Sequence, residues 1–289
     1  MTMQAFRSAE GAATVHRLYR KVLDDWPVPT SELRLPTRQG ETFVLAFGRE
    51  DGPPVILLHG AQANAAAWIL EAMPWAERFR LYAIDMIGEA GFSAPSRPPL
   101  ASDAHALWLD DVMSGLGLSR AAVVGVSLGG WLALDYANRR PDFVERLALI
   151  CPAGIGRQKN FLLRAAPLLL LGSWGKRRMR ELVLGPAVSE PPDALKPVIA
   201  LMEAIGRSIR LRLGIIPRLS DAELARLKMP ILAIMGGRDV LIDSDDTRRR
   251  LQAFAPHAEI SFLPEARHFI PGQSEPVLRF LANGQARHG

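Results

Sequence analysis

Cysteine is nearly absent from this chain: among 289 residues only Cys151 occurs. That excludes an intramolecular disulfide and a cysteine-rich metal cluster. Long hydrophobic runs are missing too. The longest apolar stretch, Phe161 to Leu171, is cut by Arg164 and Pro167 and is too short to cross a bilayer. The first residues, Met1 to Gly11, contain no apolar segment of the secretory kind. The expectation is a soluble, cytoplasmic protein with no membrane span. No HExxH and no Cys/His ligand cluster is present, so no metal is expected. No G-x-G-x-x-G follows the first strong strand pattern either; His59-Gly60-Ala61-Gln62 stands there instead. That excludes a dinucleotide fold and leaves no cofactor expected.

The excess of positive charge is small, 35 Lys and Arg against 30 Asp and Glu. It is also unevenly placed. Residues 153–227 hold 13 basic and 6 acidic side chains, and the remainder is slightly acidic. A basic surplus confined to one segment marks a structural unit with its own surface, and no nucleic-acid partner is expected. Hydrophobic residues make up 48% of the chain and charged residues 22%, which suits a globular protein with one large core.

What is present is a rhythm. Short apolar runs bounded by turn residues predict strands at Pro54–Leu58, Arg80–Asp85, Ala121–Val126, Leu147–Cys151, Pro230–Met235 and Glu259–Leu263. Continuous apolar runs, rather than strict alternation, suit parallel strands covered on both faces. Helical patterns lie between them, as at Asp103–Leu116 and Leu128–Arg140, so the fold class is α/β. Glu32–Leu35 and Thr42–Phe47 read as a leading antiparallel pair, and Ala5–Trp26 as an N-terminal helix. After the sixth strand the rhythm stops for about 75 residues, where helix-length pieces at Asn160–Leu171, Lys176–Leu184 and Pro192–Leu213 are separated by Gly and Pro. The organisation read from this is an N-terminal extension at 1–30, a core at 31–152, a helical cap at 153–227 and the rest of the core at 228–289. Within the cap, Leu168 to Leu171 and Trp174 are expected to line a cleft or pack on the core, while Lys176 to Arg180 face water. Arg157, Lys159 and Arg164 read as solvated charges or as basic groups of a pocket.

Four motifs carry chemistry. Gly125-Val126-Ser127-Leu128-Gly129 follows a predicted strand and precedes a helix, the setting a nucleophile elbow requires. The turn leaves room for no bulky neighbours, so glycines flank the serine. The N–H of Leu128 is then aimed where an oxyanion would develop. Leu58-His59-Gly60-Ala61 ends an early strand, and Ala61 is the candidate second oxyanion donor, with Gly60 letting the backbone turn inward; His59 reads as a structural residue orienting this loop. Gly236-Gly237-Arg238-Asp239 places a carboxylate after a later strand, and His268 follows the last one. In the order Ser127, Asp239, His268 these are nucleophile, orienting acid and base.

These residues resemble the α/β-hydrolase superfamily. Trp26-Pro27-Val28, Leu57 to Ala61, Tyr82 to Gly88 and Ser127-Leu128-Gly129-Gly130 resemble, more narrowly, bacterial carboxylesterases of the naproxen-esterase type. The resemblance implies an α/β-hydrolase fold, a mostly parallel sheet flanked by helices with the cap inserted after the sixth strand. It also implies hydrolysis of carboxylic esters without a metal, on a small-molecule ester substrate. The expected assembly is a monomer or homodimer. Serine at position 127 implies an acyl-enzyme, unlike dehalogenases and epoxide hydrolases of similar fold, which carry Asp there. A lactone, thioester or C–C bond hydrolase, and a non-catalytic receptor on this scaffold, remain alternatives at this level.

Overall fold

The computed structural model describes residues 5–186, 192–212 and 214–283. Eight strands form one sheet: β1 Thr30–Leu35, β2 Thr42–Gly48, β3 Pro54–Leu58, β4 Arg80–Ile84, β5 Ala121–Val126, β6 Val144–Ile150, β7 Ile231–Gly236 and β8 Glu259–Leu263. The spatial order is β1-β2-β4-β3-β5-β6-β7-β8. β2 is antiparallel to both β1 and β4, and all later pairings are parallel. Strands β3, β5 and β7 are buried on both faces, which is why their sequences run apolar without alternation.

The helices are α1 Ala9–Asp24, α2 Ile69–Ala76, α3 Ala104–Gly115, α4 Leu128–Arg139, α5 Phe161–Leu169, α6 Gly172–Leu184, α7 Lys196–Ser208, α8 Asp221–Arg226, α9 Ser244–Phe254 and α10 Ser274–Ala282. Two apolar layers sandwich the sheet. One gathers Trp108 of α3 and Trp131 and Leu132 of α4 against Ile56, Val123 and Leu149. The other gathers Tyr19 of α1, Trp75 of α2 and Phe280 of α10 against Phe43, Leu57 and Val124. Full burial of each such side chain contributes about 1.5–3 kcal/mol, so these layers dominate the stability of the fold.

β6 starts three residues before the predicted Leu147. Glu145 and Arg146 break its apolar run, yet Arg146 is useful there: its guanidinium lies 5.4 Å from the Phe280 ring centre and donates to the Phe280 carbonyl at 3.2 Å. The predicted helix over 192–213 is shorter. It ends at Ser208, because Ile209 turns extended and forms a bridge with Phe6.

Helices α5 to α8 separate β6 from β7, as the missing strand pattern indicated. α7 rests on α1, and Arg7 N–H donates to the Ser208 carbonyl while Arg210 N–H donates to that of Ala5. The N-terminal helix therefore carries the helical insertion on its back. Among the described residues no helix is long and apolar enough to cross a membrane.

Candidate active site

Parallel strands bring their C-terminal ends, and the loops that follow them, to one edge of the sheet. At that edge Ser127 follows β5, Asp239 follows β7 and His268 follows β8. His268 Nε2 lies 2.9 Å from Ser127 Oγ, and His268 Nδ1 lies 2.7 Å from Asp239 Oδ2. The second carboxylate oxygen, Asp239 Oδ1, accepts from the N–H groups of Leu241 at 2.7 Å and Ile242 at 3.0 Å. Both oxygens are thus committed, and Asp239 is buried. Asp243, its neighbour in sequence, is spent elsewhere: it caps α9 and pairs with Arg157.

The elbow is strained at the serine. Ser127 has φ 51° and ψ −108°, a conformation that costs a non-glycine residue on the order of 1–3 kcal/mol. Its N–H donates to Ile150 O at 2.9 Å, and its carbonyl accepts from Trp131 and Ala153, which hold the turn. The flanking glycines are required by close approach. A Cβ on Gly125 would sit 2.5 Å from the Gly129 carbonyl oxygen, and one on Gly129 would collide with the backbone carbonyl of Leu58. Leu128 opens α4, so its N–H has no intrahelical acceptor.

The loop after β3 is built differently from the expectation at one point. A Cβ on Gly60 would meet Ser127 Cβ at 3.7 Å, an ordinary contact, so the backbone does not need glycine there to turn inward. The left-handed residue is Gln62, with φ 58°. Among the described residues the N–H of Ala61 meets no acceptor. His59 is structural, as its position suggested. It is fully buried, its Nε2 accepts from Met86 N–H at 3.0 Å, and its Nδ1 lies 2.7 Å from the Gly60 carbonyl. The acceptor at Nε2 fixes the proton on Nδ1, and burial lowers the imidazole pKa to about 4.

Three supports of the loops around the site escaped the sequence reading. Glu89 Oε2 accepts from Gln62 N–H at 2.8 Å, and Glu89 faces Arg212 at 3.5 Å. Asp85 accepts from Ala65 N–H and Phe92 N–H, each at 2.8 Å, and from the Tyr19 hydroxyl of α1 at 3.0 Å. Burial raises the Asp85 carboxyl to about 6 despite these donors. The N-terminal helix is thereby tied to the loop that carries Ala61. The third is Lys159, whose ammonium donates to the Asp239 carbonyl at 2.6 Å and props the acid's loop from the insertion. An acid closing the apolar strand Arg80–Ile84 was the one visible signal of such a network.

Between the insertion and the acid's loop lies a cavity of about 450 Å³ lined by Lys159, Phe161, Ala165, Leu168, Leu182 and the backbone around Asp239. Phe161, Ala165 and Leu168 share one face of α5. Leu168 meets the expectation of a lining residue. Leu170, Leu171 and Trp174 do not: they are solvent-exposed, because α5 ends at Leu169 and the chain turns outward. Arg157 pairs with Asp243 at the surface. The side chains of Leu169 and Arg164 lie outside the described residues.

Among the described residues, one group of His, Cys and acid side chains is close enough to share an ion: Cys151, Asp239 and His268, within 4.8 Å of one another. Its histidine and carboxylate already bond to each other. Burial first, then the Asp239 charge, push the Cys151 thiol well above its ordinary range, so it stays protonated.

Residues 55–282 match the α/β hydrolase family. The chain belongs to that family. It is 28% identical to carboxylesterase YbfK of Bacillus subtilis, covering 96% of this chain and 97% of that one. It is also 28% identical to the uncharacterised carboxylesterase nap of the same organism, over 92% and 91% of the two chains. Among solved structures, the naproxen esterase of B. subtilis superposes with a TM-score of 0.82 at 25% identity, covering 98% of this chain and all of that one. This α/β hydrolase thus aligns over nearly its whole length with esterase-named relatives.

Proposed function

We propose that the protein is a serine esterase that cleaves carboxylic esters of small molecules through an acyl-enzyme, with Ser127 as nucleophile, His268 as base and Asp239 as orienting acid. The observation that carries this reading is the unbroken relay from Ser127 Oγ through both ring nitrogens of His268 to Asp239. The names of the relatives point the same way.

The chemistry follows from the geometry. His268 Nε2 takes the Ser127 proton as Oγ attacks the ester carbonyl carbon, and Asp239 stabilises the imidazolium that forms. The carbonyl oxygen becomes an oxyanion held by the N–H groups of Ala61 and Leu128, which need no metal to offset its charge. Collapse expels the alkoxide, which takes the proton from Nε2. A water then attacks the acyl-serine with His268 again accepting a proton, and collapse of the second tetrahedral intermediate returns that proton from Nε2 to Ser127 Oγ as the carboxylic acid leaves. Both strained torsions at Ser127 and the committed oxygens of Asp239 serve to fix positions before substrate arrives.

We read residues 153–227 as a lid. They leave the core after β6, which lies between the strand that bears Ser127 and the strand that bears Asp239, and return before β7, which leads to Asp239. A roofed pocket favours compact or medium acyl groups. The deciding experiment is a panel of p-nitrophenyl esters of graded acyl length, a lactone and an acyl thioester, run on wild type and Ser127→Ala. We expect ester turnover, retained in EDTA, covalent labelling by a serine-directed phosphonate, and a loss of about 10⁶-fold in kcat for Ser127→Ala with folding intact. Near-normal turnover in that variant overturns the mechanism.

A further inference from the structure

We propose that the corner between α5 and α6 docks this protein reversibly on the surface of an anionic phospholipid bilayer. The corner exposes large apolar side chains in immediate succession: Leu170 is 89% accessible, Leu171 53% and Trp174 52%. The other five tryptophans, Trp26, Trp68, Trp75, Trp108 and Trp131, are all buried. Burial is thus the rule for this residue type in the molecule, and Trp174 departs from it in company with two leucines.

The charge beside the patch selects the partner. Helix α6 carries Lys176, Arg177, Arg178 and Arg180 against a single acid, Glu181. Arg177 and Arg178 lie three and four residues after Trp174, so they flank it on the same face. They reach Glu181 at 3.8 and 3.4 Å, with more than a quarter of every partner exposed. Such surface pairs contribute little and yield readily to a competing anion. Leucines ahead, an indole at the level of the headgroups and guanidinium groups behind them are the arrangement of an interfacial segment. A second copy of the chain suits the patch poorly. A two-fold contact through this corner brings the same basic helix against itself. The α5–α6 pair also has no length to span a bilayer, so docking is shallow.

The placement has a consequence for the cavity. The helix whose inner face presents Phe161, Ala165 and Leu168 to it ends at the exposed corner. Docking therefore sets the wall of that cavity beside lipid, where apolar esters concentrate. Docking through this corner does not depend on the Ser127 relay, and binding can be measured without turnover.

The test adds vesicles to the full-length protein, some of phosphatidylcholine alone and some with one part phosphatidylglycerol to two parts phosphatidylcholine, at low and high salt. Because Trp174 is the exposed tryptophan, its emission reports contact directly. We expect a blue shift and co-sedimentation with the anionic vesicles, both lost at high salt. Trp174→Ser abolishes the shift. Arg177→Gln with Arg178→Gln weakens binding on the order of 25-fold, about fivefold per charge. That double variant leaves turnover of a soluble ester such as p-nitrophenyl acetate unchanged. No binding to either vesicle, or equal binding to neutral and anionic ones, overturns the proposal. So does a concentration-dependent blue shift without lipid, which assigns the corner to a second copy. Loss of esterase activity with intact vesicle binding refutes the catalytic reading and leaves this one standing.

Discussion

The loops at the ends of β3, β4, β5 and β7 and the helical insertion obey different rules. In the loops almost every polar group is committed. Asp239 has both oxygens engaged, His59 both nitrogens, and Asp85 three donors. Gly129 and Gly237 there have neighbouring backbone where a Cβ would stand. In the insertion, many charged side chains pair loosely at the surface, Leu170, Leu171 and Trp174 face solvent, and Gly206 has nothing within 4 Å of where a Cβ would stand. The first region is built to hold atoms still for chemistry. The second needs only to cover, admit and contact, and tolerates change accordingly.

Substitutions that probe each side can break this contrast. The largest expected effect is at the relay: Asp239→Asn forces the wrong tautomer on His268 and lowers kcat roughly 10⁴-fold, with little change in melting temperature. If Asp243→Asn costs more than Asp239→Asn, the orienting acid has been misassigned. Next comes Gly129→Ala, whose methyl group meets the Leu58 and His59 carbonyls at the base of the elbow. Backbone cannot yield there as a flexible side chain does, and we expect a loss of 3 kcal/mol or more, of the order seen for severe core substitutions, in urea unfolding.

A buried histidine offers a smaller, pH-dependent effect. Burial first, then the charge of Arg212, lower His105 to about 4. Below pH 6.5 the unfolded chain takes up a proton that the native protein refuses, so stability falls as pH drops from 6.5 toward 4. The size of the shift corresponds to about 3 kcal/mol at the acid end. His105→Leu removes this loss, so the stability difference between variant and wild type, followed by denaturant titration, should grow in the variant's favour across that window. A difference that stays flat with pH places the titration elsewhere. The smallest effect belongs to the insertion: Gly206→Ala in α7 should stabilise by about 0.5–1 kcal/mol, since the added methyl meets no neighbour and the unfolded chain loses freedom. Destabilisation there means that α7 is packed more tightly than its surroundings suggest.

The same contrast separates what could be read in the chain from what could not. That Ser127, Asp239 and His268 meet was legible because each motif is a local statement, an apolar strand followed by glycines or by a reactive side chain, and parallel topology then places every such loop at one edge. The supports were less so. Tyr19 reaches Asp85 from 66 residues away, and Lys159 reaches Asp239 from 80. Neither belongs to a periodic pattern that ties it to its partner. Gly60 misled in a different way, since glycine beside a site suggests a special torsion, while the chain places that torsion two residues on, at Gln62.

By itself the sequence determined the order of strands and helices, the position of the helical insertion and the three residues of the relay in their chain order. These depend on hydrophobic periodicity and turn chemistry, which act over a few residues. Only the tertiary structure decided that Ser127 and His268, 141 residues apart, stand 2.9 Å from each other. It also decided which leucines of the insertion line the cavity and which face water. An apolar side chain states a preference for burial, and whether a neighbour arrives to satisfy it depends on where distant helices pack. Leu168 shares a cavity with the loop of Asp239; at Leu170, Leu171 and Trp174 the side chains stay exposed among the described residues.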